Sequence, residues 1–205
     1  FLHNFMDLYK KVLKKISLII LFVFFTINSH SVEPKVFIQS VADSATSILS
    51  EKISIEKKSE KLMSLAKKSV DIKGIGFYTL GSNRKNLKNE EKKKYNLLFE
   101  KYFLKKFSST LTSYTEPKIV VLSADIKSEK YTIVNSRLLA TDKRPEIKIN
   151  WRVYTKNPHE PLIRDLIIEG VSLARAQKEE FQSIIQSNDG NINALFSSLE
   201  NFINK

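Results

Sequence analysis

The hydrophobic period of this chain switches at Pro117, and that switch restricts the fold more than any other feature of the sequence. Before it, Tyr95, Phe99, Tyr102, Phe103, Phe107, Leu111 and Tyr114 recur every three or four residues between Asn89 and Tyr114, the spacing that puts side chains on one face of a helix. Glu90 and Glu91 suit the positive end of that helix, and Pro117 bars its continuation. After it the period is two. Lys118 to Ser128 places Val120, Leu122, Ala124 and Ile126 on one side of an extended chain, and Lys130 to Thr141 and Pro145 to Lys156 follow at hairpin distances. In the last of these, Ile147, Ile149, Trp151 and Val153 oppose Lys148, Asn150, Arg152 and Tyr154, so one side faces a core and the other water. The turn Asn157-Pro158-His159-Glu160-Pro161 leads to a fourth strand. There Leu162, Leu166 and Ile168 are expected opposite Ile163, Asp165, Ile167 and Glu169.

On either side of this meander the sequence is helical. Pro34 to Leu49, Ile55 to Lys68 and a short stretch with Val70, Ile72, Ile75 and Leu80 on one face precede it, and Gly81 suits the left-handed position that ends a helix. Gly74 and Gly76 each weaken that third helix by about 1 kcal/mol relative to Ala, which points to close packing or a hinge. They match no nucleotide-binding fingerprint. Downstream, Gly170 permits a bend, Ser172 is placed to cap a helix continued by Leu173, Ala176, Gln177 and Phe181, and Ile192 to Ile203 forms a last amphipathic helix. The expected class is α+β: a four-stranded antiparallel sheet packed on one face by N- and C-terminal helices, enclosing an apolar cavity.

The first 31 residues read as an export signal. Lys10, Lys11, Lys14 and Lys15 precede an apolar run from Ile16 to Ile27, too short to span a bilayer, which takes about 20 such residues. Small residues near Ser31 then suit cleavage after it. An uncleaved anchor is the alternative. Residues 32–205 make a single domain, with only five Gly and five Pro in the whole chain and no linker. The formal charge is +12, and 30 basic against 21 acidic residues remain after residue 31. Behind an export signal, this points to an anionic membrane surface or an acidic partner rather than to nucleic acid, with a merely solvated Lys-rich surface as the equal alternative.

The inventory for catalysis is poor. There is no Cys and there are three His, two of which, His3 and His30, lie in the leader. That excludes a thiol nucleophile, a disulfide framework and a His-rich zinc site, so no metal or other cofactor is expected. Asp165 and Glu169 lie four residues apart on a strand, roughly 13 Å, too far for a carboxylate pair acting on one bond. Holding the strand end by hydrogen bonds is the simpler role. Ser172 lacks a Gly-x-Ser-x-Gly context and a base.

Asp165-x-x-x-Glu169-Gly170-Val171-Ser172-Leu173, followed eight residues later by Phe181, resembles the signature of the MlaC family, periplasmic phospholipid-binding proteins also called toluene-tolerance auxiliary components. A second block agrees: Val70-Asp71-Ile72, then Leu80-Gly81, then the aromatic helix. The departures are Arg84 where a Trp often follows the Leu-Gly, Pro161 in place of a Trp before the signature Asp, and Gln177-Lys178 in place of Tyr-Arg. The resemblance implies an α+β shell around a lipid cavity and a soluble carrier that shuttles a phospholipid between outer and inner membranes. It also implies partners, an outer-membrane lipoprotein with a porin and an inner-membrane ring protein of an ATP-driven lipid transporter. The candidate lining is Ile72, Ile75 and Leu80, with Phe99, Phe103 and Phe107, and with Val120, Ile149, Trp151 and Ile168. Two other readings stay open: an envelope adaptor with a filled core, and an enzyme on a related cone-shaped fold.

Overall fold

Pro34 occupies the first turn of the first helix, where its missing N–H is no loss. A computed structural model of the chain describes residues 31–114, 117–142 and 144–205. The proposed leader falls almost wholly outside the described residues. Six helices are described: α1 (Pro34–Ser50), α2 (Ile55–Ser69), α3 (Ile72–Thr79), α4 (Asn89–Thr112), α5 (Leu173–Gln186) and α6 (Ile192–Asn204), with a 3-10 turn at Gly81–Lys85. Their starts follow local chemistry. Ser54, Asp71, Ser172 and Asn191 each accept a hydrogen bond from a first-turn amide, and the Glu91 carboxylate accepts from Lys88 N at the head of α4 (2.7 Å). Gly81 follows α3 with φ +57°.

The sheet runs in the order β1 (Ile119–Ser128), β2 (Tyr131–Leu138), β3 (Ile147–Tyr154), β4 (Leu162–Ile168), β5 (Val171–Ser172). Every neighbouring pair is antiparallel. The fifth strand is two residues after the turn at Glu169 and Gly170, both at positive φ. Val134 and Val153, buried completely, mark the covered face, while Arg137, Lys148 and Arg152 lie exposed on the other.

Of three register shifts in the sheet, two alter the expected faces of core residues. In β1 the register shifts between Val121 and Ser123, so Ile119 and Val121 share the covered face with Ala124 and Ile126, while Val120 and Leu122 turn outward. In β4 the register shifts at Arg164, which has no strand partner between Ile163, opposite Val153, and Asp165, opposite Arg152. Ile163 thereby joins Leu166 and Ile168 on the covered side, against the expected alternation, and Leu162 pairs with Tyr154 on the outer side.

The helices form a layer over the covered face. α1 lies along β1 and β2, and α3 and α5 meet β4. α4 packs chiefly on α2, α3 and α6. Edge strand β1 is partly capped: the Gln39 amide donates to Ile119 O (3.4 Å) and accepts from Val121 N (3.2 Å), as an adjoining strand would. In α5 the buried stripe is Ala174, Phe181 and Ile185, whereas Leu173 is 44% exposed. Among the described residues no helix is long and apolar enough to cross a membrane.

Candidate functional site

The strand-to-helix junction is built by its acid. Asp165 is buried and accepts from Ser172 Oγ (2.6 Å) and Ala174 N (3.0 Å), while the same Ser172 oxygen accepts from Arg175 N (3.1 Å). A carboxylate thus closes the positive end of α5 through one direct and one relayed bond. The Glu169 carboxylate accepts from Lys148 N and pins the turn to β3. Both acids and Ser172 are committed to backbone groups, the role their spacing along the strand favoured.

At the β4 bulge itself the chemistry is cationic. Arg164 Nε donates to Asp71 Oδ2 (2.6 Å), Nη1 donates to the Tyr131 hydroxyl (2.6 Å), and the guanidinium lies 3.6 Å from the centre of the Tyr154 ring. Asp71 also caps α3 through Gly74 N (2.8 Å). The start of α3 is therefore fastened to the outer side of β4 by a paired, half-buried charge.

The predicted lining divides into two groups. Ile72, Ile75, Leu80 and Phe99 are all buried, in the part of the core where α3, α4 and α5 meet. Phe99 is wedged there: its ring packs edge-on against Phe181 (6.2 Å) and beside Tyr95 (5.8 Å), and a Cβ at Gly76 would come within 2.8 Å of it. Close packing is what Gly76 is for. In the same region the Tyr95 hydroxyl meets Thr79 Oγ1 (2.7 Å), and burial pushes the Tyr95 phenol well above its ordinary pKa, with the Thr79 bond opposing only part of the shift. Tyr102 is raised as well, first by burial, although its bonds to Lys106 and Gln177 pull the other way.

Phe103 and Phe107 are different. They stack on one another (5.9 Å, 10°) and are only partly buried, as are Leu111 and Tyr114 beyond them. Along the aromatic stripe burial therefore falls from Tyr95 and Phe99 to Phe103, Phe107 and Tyr114, while Leu104 and Ser108 of the same half of α4 stay buried. On the covered face of the sheet Ile149 and Trp151 are buried, with Trp151 Nε1 donating to Ser136 Oγ (2.8 Å), while Ile119, Ile147 and Ile168 remain half-exposed. Chain connection fixes this end. Tyr114 leads through Pro117 into β1, and Leu139 N donates to Lys118 O (2.8 Å). Phe103, Phe107, Ile149 and Trp151 belong to or pack against one apolar core, and Ile168 lies partly buried on the covered face. Val120 does not: the β1 bulge leaves it opposite Arg137 on the outer face, 42% exposed. Leu111, Tyr114, Ile119 and Ile147 belong to the candidate set. The aromatic stripe and the β3 alternation carried the signal for three of them, and the bulge hid Ile119.

Among the described residues no three His, Cys, Asp or Glu side chains gather where they could hold a metal ion. What these features define is an α+β shell closed over an apolar interior, with the rings of α4 buried at Tyr95 and Phe99 and partly buried at Phe103 and Phe107. The chain belongs to the MlaC family, whose model, described as MlaC protein, matches residues 39–201. Its fold is similar to that of the phospholipid-binding protein from Ralstonia solanacearum, solved in complex with a phospholipid: TM-score 0.70 over 84% of this chain and 97% of that one, at 15% identity. No curated protein sequence matches the chain.

Proposed function

We propose that this protein binds one phospholipid by its acyl chains, in the interior between the second half of α4 and the covered face of the sheet, and carries it between outer and inner membranes. The observation that carries this reading is that the aromatic stripe of α4 passes from buried rings to the partly buried Phe103 and Phe107, in a fold shared with a protein solved with a phospholipid bound. Acyl chains exposed to water cost about 0.8 kcal/mol per methylene, so a two-tailed lipid with roughly thirty faces a barrier on the order of 20 kcal/mol to crossing an aqueous space. Enclosing the tails needs apolar walls and no buried charge. The most tempting acid and hydroxyl groups, Asp165 and Ser172, are occupied in capping α5, which favours a carrier over an enzyme.

Export after cleavage at Ser31, release into the periplasm, and docking to an outer-membrane lipoprotein–porin complex and an inner-membrane transporter ring are parts of the same proposal. The order of residues 10–31 and family membership support them. Mass spectrometry of lipid extracted from protein purified without detergent is expected to find about one phospholipid per chain, and amino-terminal sequencing to begin at Val32. A lipid-free wild type would replace the carrier with an adaptor whose core is filled. Docking through the basic surface should weaken as salt shortens the screening length from about 10 Å at 0.1 M to about 3 Å at 1 M, while bound lipid stays.

A further inference from the structure

The excess positive charge of this chain is confined to one part of the fold. After residue 31 there are 30 basic and 21 acidic residues, and residues 55–112, which form α2, α3, the 3-10 turn and α4, hold 15 of the basic and 6 of the acidic ones. The rest of residues 32–205 carries 15 of each and is balanced. Three of the six acids are already engaged: Asp71 pairs with Arg164, Glu100 pairs with Lys67 (3.0 Å), and Glu91 accepts from Lys88 N. Among the described residues, Lys68, Arg84, Lys85, Lys93 and Lys101 are exposed and form no ion pair.

These cations lie on the helical side of the molecule, since α2 and α4 take their main packing from other helices rather than from the sheet. Lys93, Leu97 and Lys101 follow at intervals of four along the exposed side of α4, and Leu97 is 64% exposed. The 3-10 turn sets Arg84 and Lys85 just before α4 begins, and the Lys67–Glu100 pair brings the end of α2 that carries Lys68 to the same stretch.

Like charges gathered on one surface repel one another unless something anionic takes them up. The apolar side chains among them indicate what kind of surface that is. A protein interface has a desolvated apolar centre with its charges at the rim. Here the exposed large apolar residues are Ile55, Tyr78 and Leu97, one on each of α2, α3 and α4. Tyr78 lies under the Lys178 ammonium (5.3 Å), and Ile55 begins α2, roughly 18 Å along the helix from Lys67. Dispersed cations around one protruding leucine instead match a fluid layer of anionic head groups, which can gather under each charge and admit one side chain between them.

We propose that the exposed face of α2 and α4 is a membrane-docking surface: Lys68, Arg84, Lys85, Lys93 and Lys101 hold it on anionic phospholipid head groups, and Leu97 enters the head-group layer between its two lysines. This goes beyond the carrier reading, because adsorption is set by the outer surface whether or not the interior holds a lipid.

The test is sedimentation with vesicles in about 0.1 M salt, made either of dioleoylphosphatidylcholine alone or with about one third dioleoylphosphatidylglycerol. All proteins keep the same amino terminus, so any contribution from residues 1–31 cancels. Wild type should pellet with the anionic vesicles, stay in solution with the neutral ones, and be released as salt rises. A basic residue beside such a surface contributes about fivefold to partitioning, so Arg84→Gln, Lys85→Gln, Lys93→Gln and Lys101→Gln combined should lower it by a factor on the order of several hundred. The same charge removed from the balanced part, by Lys127→Gln, Lys130→Gln, Lys148→Gln and Arg152→Gln, should cost far less. Leu97→Gln should weaken binding several-fold without changing its response to salt. Thermal melting confirms that each variant is folded. Equal losses in the two quadruple variants would mean net charge rather than this face and overturn the proposal, and Leu97→Gln that binds as wild type does would overturn the insertion of Leu97. A wild type that stays in solution with anionic vesicles overturns it outright, and retention of that protein on immobilised polyglutamate would give the face to an acidic protein instead. Extracted lipid is counted in parallel: a lipid-free wild type that still pellets refutes the carrier reading and leaves this one standing.

Discussion

Asp165→Ala should cost stability and spare lipid binding, and the geometry around Asp165 sets the size of the effect. Asp165 is 5% exposed and accepts from Ser172 Oγ at 2.6 Å and Ala174 N at 3.0 Å. Hydrogen bonds to a charged group contribute about 1.5–3 kcal/mol each, and a buried donor left unpaired loses a further ~1–3 kcal/mol. The Ser172 hydroxyl can turn to another acceptor, but Ala174 N cannot, so Asp165→Ala is expected to destabilise by about 3–5 kcal/mol. Asp165→Asn keeps one acceptor for Ala174 N and should lose about half as much. Ser172→Ala removes an N-cap, about 1 kcal/mol, together with its bond to the carboxylate. Because the two side chains touch, a double-mutant cycle should return a coupling of about 1–2 kcal/mol rather than additivity. Urea unfolding measures wild type, the three single variants and the double variant, and lipid per folded chain is counted in parallel. If Asp165→Ala shifts stability by less than about 1 kcal/mol, or empties the protein of lipid while leaving it as stable as wild type, the capping role is wrong and the acid belongs to a binding site.

Ile168→Trp should displace lipid at a stability cost well under the ~1–3 kcal/mol of overpacking a filled core, whereas Ile75→Trp should show that full cost; both are read from unfolding curves and extracted lipid. Val120→Trp, on the outer face, should retain full occupancy, and lipid loss in this variant would place Val120 inside after all. Gly76→Ala gains about 1 kcal/mol of helix propensity but drives a methyl to 2.8 Å from the Phe99 ring, so a net loss of roughly 1–2 kcal/mol is expected in a thermal melt. The raised phenols predict alkaline unfolding. Tyr95 keeps its proton in the fold where the unfolded chain loses it near pH 10, so its contribution is complete below that pH and declines as pH rises toward the folded value. Tyr95→Phe should flatten stability against pH above 10, and an unchanged alkaline slope in that variant would show that other groups set it.

Element types were legible because each segment states its period clearly: α4 was expected over Asn89–Tyr114 and runs Asn89–Thr112, and β3 was expected within Pro145–Lys156 and runs Ile147–Tyr154. Faces were legible only where the register is unbroken. In β1 and β4 one extra residue reverses the alternation, and no propensity at Leu122 or Arg164 announces it, since a bulge is settled by what the neighbouring strand and helices accept. That is why Val120 was placed inside and Ile163 outside. The divided lining had a related cause. Phe99 and Phe103 are equally aromatic and belong to one stripe, and only the rings arriving from Phe181 and Tyr95 decide that Phe99 lies in packed core while Phe103 does not. The two-residue β5 was too short to leave any pattern.

The bonds that join the helices to the rest of the fold are long in sequence, and this bears on how the chain folds as it is made. Gln39 reaches Ile119 across 80 residues, Asp71 reaches Arg164 across 93, Asn83 reaches Gln182 across 99 and Lys105 reaches Ile203 across 98. The sheet is the opposite, with each of its first four strands paired to the next through a short connection. On a ribosome the four helices before Pro117 therefore emerge with only one another to cover their apolar faces, and the sheet, α5 and α6 that complete the cover are synthesised later. Closing such distances is entropically slow compared with zipping a meander. Pulse-labelled hydrogen exchange on refolding full-length chain should find amides of β2 and β3 protected before those of α1 and α3. A chain released before Arg164 should bind holdase chaperones and be cut readily by protease, because the elements already made cover one another only in part without β4, α5 and α6.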